Sequence, residues 1–178
     1  MGKKKEDSRI GWKVSDIVTI GVLTATLEAA KIGLAFLPNV ELVTLLLVVY
    51  TTVFGKKALA ASFAFVGVEC MVWGMGLWVI NYLYIWPFLV LLALVVCKSG
   101  CRSVWGYSIL CGAYGLGFGA LCAIPYFFIG GPSMMLTWWI AGIPYDLIHG
   151  ISNFILCLIL YRPFRYAVEK CRIVVIKE

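Results

Sequence analysis

Residues 14–36 read VSDIVTIGVLTATLEAAKIGLAF, an apolar run long enough to cross a bilayer as a helix, because a span needs roughly 20 residues. Within it Gly21, Ala25, Ala29 and Gly33 recur at every fourth position. Positions so spaced drift by about 40° per step on a helix and form one stripe of small side chains. On such a face helix backbones approach closely in lipid, where packing replaces much of the missing hydrophobic drive. Thr24, Glu28 and Lys31 fall elsewhere, within about 60° of one another, and Glu28 and Lys31 are close enough to pair. An acidic group inside a span is costly and normally faces an interior cavity or a partner. The helix is therefore expected to carry one close-packing face and one polar face.

The rest of the chain has the same character. Of 178 residues, 62% are hydrophobic and only 13% charged, and the mean hydropathy is +0.96. This places the chain among integral membrane proteins and leaves no room for a separate soluble domain. The expected fold is all-α, a compact bundle of six transmembrane helices over residues 14–161, between basic cytoplasmic tails at 1–13 and 162–178. The six spans run from Val14 to Phe36, Val40 to Phe54, Ala58 to Trp73, Tyr82 to Cys97, Val104 to Tyr126 and Pro144 to Tyr161. Several are shorter than an ideal crossing, which tilting or partial unwinding under protein cover accommodates. The opening MGKKKEDSRIGWK is not followed by a short apolar core and a cleavage site, so the first span reads as retained rather than as a signal peptide. Glu6 stands where a myristoylation context would have Ser or Thr.

The cationic residues sort by side. Lys3, Lys4, Lys5, Arg9 and Lys13 precede the first span, Lys56 and Lys57 follow the second, and Lys98 and Arg102 follow the fourth. Arg162, Arg165, Lys170, Arg172 and Lys177 follow the sixth, while the opposite loops hold no Lys or Arg. The positive-inside rule then puts both termini in the cytoplasm. The net charge of +6 is thus a topology signal, able also to draw the inner face toward anionic lipid, and it does not call for nucleic acid. The seven cysteines do not form a disulfide framework. Cys70, Cys111, Cys122 and Cys157 lie in apolar segments as small hydrophobes, and Cys97 and Cys101 lack the neighbouring ligands that zinc requires.

Pro144 occupies a position suited to the first turn of a helix, which leaves GGPSMMLTWWIAG, residues 130–142, outside the sixth span. Too apolar for a solvated loop, this segment is expected to form a short helix at the outer mouth of the bundle. Asp146, His149 and Asn153, spaced three and four apart, share a face of the sixth span. Asp146 is placed either to orient His149 by a hydrogen bond or, with it, to contact a ligand. A single histidine makes a metal pair a poor reading. At the outer ends stand Trp73, Trp78, Asn81, Tyr82, Tyr84, Trp86, Tyr126, Trp138, Trp139 and Tyr145. With Asn39, Glu41 and Glu69 they supply a mixed wall suited to a flat, partly polar metabolite, although aromatic belts produce similar clusters. The candidate substrate-binding set is Asn39, Glu41, Glu69, Trp73, Trp78, Asn81, Tyr84, Trp138, Trp139, Tyr145, Asp146, His149 and Asn153.

The glycine-rich YGLGFGALCAIP, residues 114–125, lacks the Lys-Ser/Thr of a phosphate loop. Gly115, Gly119 and Ala123 are better read as seating a neighbouring helix. No nucleophile, base and acid set, metalloprotease signature or nucleotide fold is present, so neither catalysis nor a cofactor or metal is expected here.

LTATLEAAK in the first helix, with LPNVELVTLLLVVYTTVFGKK, WGMGLWVINYLYIWP, GALCAIPYFFIGG and IAGIPYDLIHGISNF, resembles the S components of energy-coupling factor (ECF) vitamin transporters, which are their substrate-binding membrane subunits. The resemblance covers nearly the whole chain, although Glu28 and Lys31 adjoin the docking face and no segment matches a substrate motif. It implies that Ala25 and Ala29, flanked by Gly21 and Gly33, dock on a shared transmembrane coupling subunit powered by two cytoplasmic ATPases. It further implies that the chain captures its substrate from outside the bacterial plasma membrane, closes outer loops over it and topples to release it inside. The cargo expected is a small vitamin, cofactor precursor or modified base. An excess of acidic groups in the outer half favours a neutral or cationic solute, with a loop-capped corrinoid as a further option. The competing class is a non-transporting membrane assembly or regulatory subunit.

Overall fold

A computed structural model describes residues 12–176; Lys3, Lys4, Lys5, Arg9 and Lys177 of the predicted tails lie outside them. Of the described residues 86% are helical and none lies in a strand. The helices are α1 (Val14–Gly33), α2 (Val43–Phe54), α3 (Lys57–Trp73), α4 (Leu77–Lys98), α5 (Val104–Leu116) and α6 (Phe118–Ile176). Two helical stretches, Leu77–Lys98 and Val104–Arg172, are long and apolar enough to cross a membrane.

The centre is α2, which packs against every other helix. From Val43 to Thr51 it is buried all round, as expected of a helix that is apolar on every face. Thr51 returns its hydroxyl to the Leu47 carbonyl within the helix, whereas the Thr44 hydroxyl is buried without a partner. Around α2, Leu23 and Leu27 of α1, Phe65 of α3 and Leu89 of α4 complete the core. Large apolar side chains also face outward, among them Val18, Val22, Phe63, Leu91 and Val95.

Helices α1 and α3 run parallel, since the Thr24 hydroxyl donates to the Ala61 carbonyl at 3.4 Å and Lys31, seven residues on, pairs with Glu69. Glu28 is therefore level with the third helix one turn before Glu69. The expected Glu28–Lys31 pair does not form, because Glu69 offers Lys31 a carboxylate across the helix interface.

Two segments depart from expectation near the C-terminus. Backbone hydrogen bonds pass through Gly117, so α5 and residues 118–129 make one nearly continuous arm. Gly131, at φ +75° and ψ −172°, occupies a region open essentially to glycine alone, and with Gly130 it turns the chain back on itself. The helical signal at the turn is Pro132, which follows Gly131, and Pro144 lies inside the returning helix. Residues 130–142 thus belong to a long helical hairpin rather than to a separate short helix. Likewise residues 162–176 continue the same helix, and Arg172 ties it to the end of α2 through the Val53 carbonyl at 2.8 Å.

The arms of this hairpin sit very close. A methyl group at Gly115 would lie 2.8 Å from the Gly150 Cα and 2.9 Å from its backbone nitrogen. Tyr107 stacks on Tyr161 at 4.7 Å near one end and Tyr126 on Trp138 at 4.1 Å near the other. Glycine is required here because backbone meets backbone, leaving no side chain to yield.

Candidate functional site

The loop from α1 to α2, residues 34–42, lies over one end of the bundle and borders a half-open cavity of about 250 Å³. Its wall draws on Lys31 of α1, Asn39 and Glu41 of the loop, Tyr82 and Trp86 of α4, and Phe118 and His149 of α6. Asn39 turns the loop at φ +58°, a conformation that asparagine tolerates better than most residues. Its carbonyl accepts the Ser152 hydroxyl at 3.1 Å, which pins the loop to α6.

Two acid and base pairs border this space. Glu41 Oε1 meets His149 Nε2 at 3.1 Å, and Glu41 Oε2 accepts the Thr44 backbone N–H at 2.9 Å. One carboxylate thus holds the histidine and also satisfies an orphan donor in the first turn of α2, where negative charge is favoured. On the other side Lys31 pairs with Glu69 and reaches the Tyr82 hydroxyl at 3.5 Å. The Lys31 ammonium also stands 5.0 Å from the Tyr82 ring centroid, with Phe65 at 5.9 Å and Trp78 at 6.0 Å. These distances permit cation–π attraction.

An unbroken run of aromatic contacts joins the two pairs. Trp78 meets Tyr82 at 5.2 Å, Tyr82 meets Trp86 at 5.4 Å, Trp86 meets Phe118 at 5.7 Å, and Phe118 meets His149 at 4.7 Å. Trp86 is buried, yet its indole N–H has no acceptor. A buried donor without a partner is expensive, and an acceptor atom on a bound molecule would satisfy it.

Of the residues expected from sequence, Asn39, Glu41 and His149 line the cavity. Trp78 and Glu69 stand behind its wall through their contacts with Lys31. Asn81 and Tyr84 serve the scaffold: the Tyr84 hydroxyl donates to the Leu121 carbonyl at 2.6 Å and lies 3.0 Å from Asn81 Oδ1. That carbonyl is the one Pro125 leaves without an intrahelical donor. Asp146 does not orient His149. It turns to the other arm of the hairpin and accepts the Gly119 N–H at 2.8 Å, a donor in the first turn of α6 where helical acceptors are lacking. Asn153 is buried away from the cavity lining, with neither amide atom partnered.

Trp73, Trp138, Trp139 and Tyr145 are exposed and do not line the cavity. For Trp138 and Trp139 the reason is the hairpin, whose turn at Gly131 stands about 27 Å beyond His149 at 1.5 Å per helical residue; Tyr145 is one turn from His149 but faces outward. Lys31, Tyr82, Trp86 and Phe118 are cavity residues missing from the candidate set. The spacing of Trp78, Tyr82 and Trp86, one every four residues, was the available signal for the aromatic wall. The presence of Lys31 also removes the basis for an outer site devoid of cationic groups.

The small residues of α1 occupy the opposite surface. Gly21, Ala25, Ala29 and Gly33 are all exposed, whereas Thr24 and Glu28 are buried. A methyl group added at Gly21 or Gly33 would meet nothing within 4 Å, so the stripe seats no helix among the described residues. A larger cavity, about 290 Å³, opens at the far end of α1 between Val18, Val22, Tyr50, Phe54 and Val168. The surface it exposes is mainly apolar, although Ser15, Thr19, Thr26, Lys57 and Arg172 also stand in its wall. Among the described residues no cluster of His, Cys, Asp and Glu is able to hold a metal ion. Comparison with family models, curated proteins and solved structures yields no match for this chain.

Proposed function

We propose that this chain is the substrate-capture subunit of an ECF-type importer, a six-span protein of the bacterial plasma membrane with both termini in the cytoplasm. It binds a small vitamin, cofactor precursor or modified base from outside and delivers it inward with a shared transmembrane subunit and two cytoplasmic ATPases. The observation that carries this reading is the division of labour on α1. The helix sends Lys31 into the wall of a cavity and leaves its ladder of small residues uncovered on the outside. A ligand site and a close-packing face on one helix suit a subunit that must both hold cargo and dock. The cavity suits a flat molecule of one or two rings that offers an acceptor to the Trp86 indole and polar groups to the flanking ion pairs.

The test pairs docking with cargo. Replacing Ala25 and Ala29 with tryptophan should abolish co-purification of a membrane scaffold and its ATPases. The isolated subunit should keep its fold and its ligand, because neither side chain is part of the core. Mass spectrometry of small molecules released from protein purified without added ligand should identify the cargo. Assembly that survives both substitutions would remove the docking claim. A stable oligomer of this chain alone, with no ligand and no ATPase, would favour an assembly or regulatory subunit.

A further inference from the structure

Behind Lys31, between α1 and α3, lies a second constellation that the capture of cargo does not use. Glu28 is 7% exposed and Glu69 only 1%, and they face one another with Lys31 beside both. Glu69 has one oxygen on Lys31. Its other oxygen and both oxygens of Glu28 are buried without any hydrogen-bond partner. The surroundings are apolar: Leu23 and Leu27 on α1, and Phe65 and Val66 on α3.

Charge counting exposes the difficulty. With both carboxyls ionised, the cluster would carry one net negative charge, uncompensated, in a medium where burying a lone charge is strongly unfavourable. Other titratable groups nearby do not relieve it. From α4 comes Tyr82, which receives a hydrogen bond from Lys31. From α2 comes Tyr50, which is bonded to Thr26, while His149 is held by Glu41. The Trp73 indole stands near Glu28 but makes no hydrogen bond to it.

We infer that Glu28 and Glu69 form a site for one monovalent cation, and that the cation is a proton carried on Glu28 and donated to the free oxygen of Glu69. One proton makes the cluster neutral and supplies the donor that Glu69 Oε1 lacks. A bound metal ion would neutralise it equally, but hard cations gather six or more oxygens, and this site offers three unpartnered ones amid hydrocarbon. The proton therefore closes the α1–α3 interface directly behind the residue that contacts the cavity. Its loss would leave two carboxylates competing for Lys31 and loosen α1, the helix that also bears the exposed ladder.

Infrared spectroscopy of the full-length protein in lipid nanodiscs tests this. Wild type at neutral pH should show the C=O stretch of a protonated, buried carboxyl group, and E28Q should lack it while E41Q retains it. E69Q should lack it too, because Glu28 then ionises to pair with Lys31. Persistence of the band in E69Q would mean that burial alone protonates Glu28 and would overturn the shared site. Absence of the band in wild type would overturn it outright, even if E28Q fails to fold. Melting temperature gives an independent reading. The folded cluster keeps a proton that an unfolded glutamate has already lost at neutral pH, so stability should fall as pH rises toward and past neutrality, and less steeply in E28Q than in wild type. Replacing choline with sodium at fixed pH should leave the wild-type melting temperature unchanged. A sodium-dependent rise that E28Q abolishes would refute the proton in favour of a metal cation.

Discussion

Single side chains decide whether backbone groups near the cavity are satisfied. Tyr84 is the clearest case, because Pro125 removes the N–H that would otherwise meet the Leu121 carbonyl, and the Tyr84 hydroxyl takes its place at 2.6 Å. Phenylalanine at position 84 keeps the ring and orphans the carbonyl, so Y84F should lower stability by about 1–3 kcal/mol. Thermal unfolding in detergent measures this, and an unchanged melting temperature would show that water replaces the hydroxyl. Trp86 makes the complementary argument for binding. Its buried N–H has no partner in the protein, so an acceptor on a bound molecule would add a hydrogen bond that no protein group makes. Replacement by phenylalanine should weaken the co-purified ligand by up to about tenfold, the effect of one hydrogen bond of roughly 0.5–1.5 kcal/mol. Calorimetric titration of that ligand into both proteins is the measurement, and equal affinities would move the acceptor elsewhere.

At the level of elements, the C-terminal hairpin shows how a turn fixes the placement of everything after it. Gly131 lies at φ +75° and ψ −172°, and no neighbour would touch a methyl group added there. The cost of G131A is therefore conformational rather than steric, about 1–3 kcal/mol of backbone strain. Such a loss should appear first as weaker protection of amides around residues 126–138, while those of α2 stay protected. Uniform loss of protection across both regions would mean that the hairpin and core unfold as one unit. Helix α1 makes the converse case. Its buried side is dictated by Leu23, Thr24, Leu27 and Glu28, and its small residues contribute nothing to the isolated fold. That separation was legible in the sequence, because the two sets differ in phase along one helix. The hairpin was less legible: Gly130, Gly131 and Pro132 spell a turn, but Pro144 offers a competing helix start, and only packing of Gly115 against Gly150 decides between them.

For the molecule as a whole, local patterns carried the helices and the loops but not the pairings between distant residues. Glu41 and His149 are 108 positions apart, and nothing in either neighbourhood names the other. Lys31 had Glu28 one turn away, and its choice of Glu69 depends on α1 and α3 running parallel in close contact. Trp138 and Trp139 stand away from the cavity lining for the same reason, since that distance is set by the length of the returning helix, whereas Tyr145, one turn from His149, is turned outward. Orientation in the membrane is the remaining global property, and the charge pattern makes it testable. Cys171 is exposed among the C-terminal cations, whereas Met75 is 86% exposed in the connection between α3 and α4, which has no Lys or Arg. Cysteine at position 75, in a protein whose nearby Cys70 is replaced by alanine, should react with a membrane-impermeant maleimide on intact cells. The parent protein with only Cys70 replaced should react only after permeabilisation, when Cys171 becomes accessible. If the parent is labelled on intact cells, the C-terminus lies outside. The cationic clusters would then mark the outer face, and the cavity under the loop at residues 34–42 would open toward the cytoplasm.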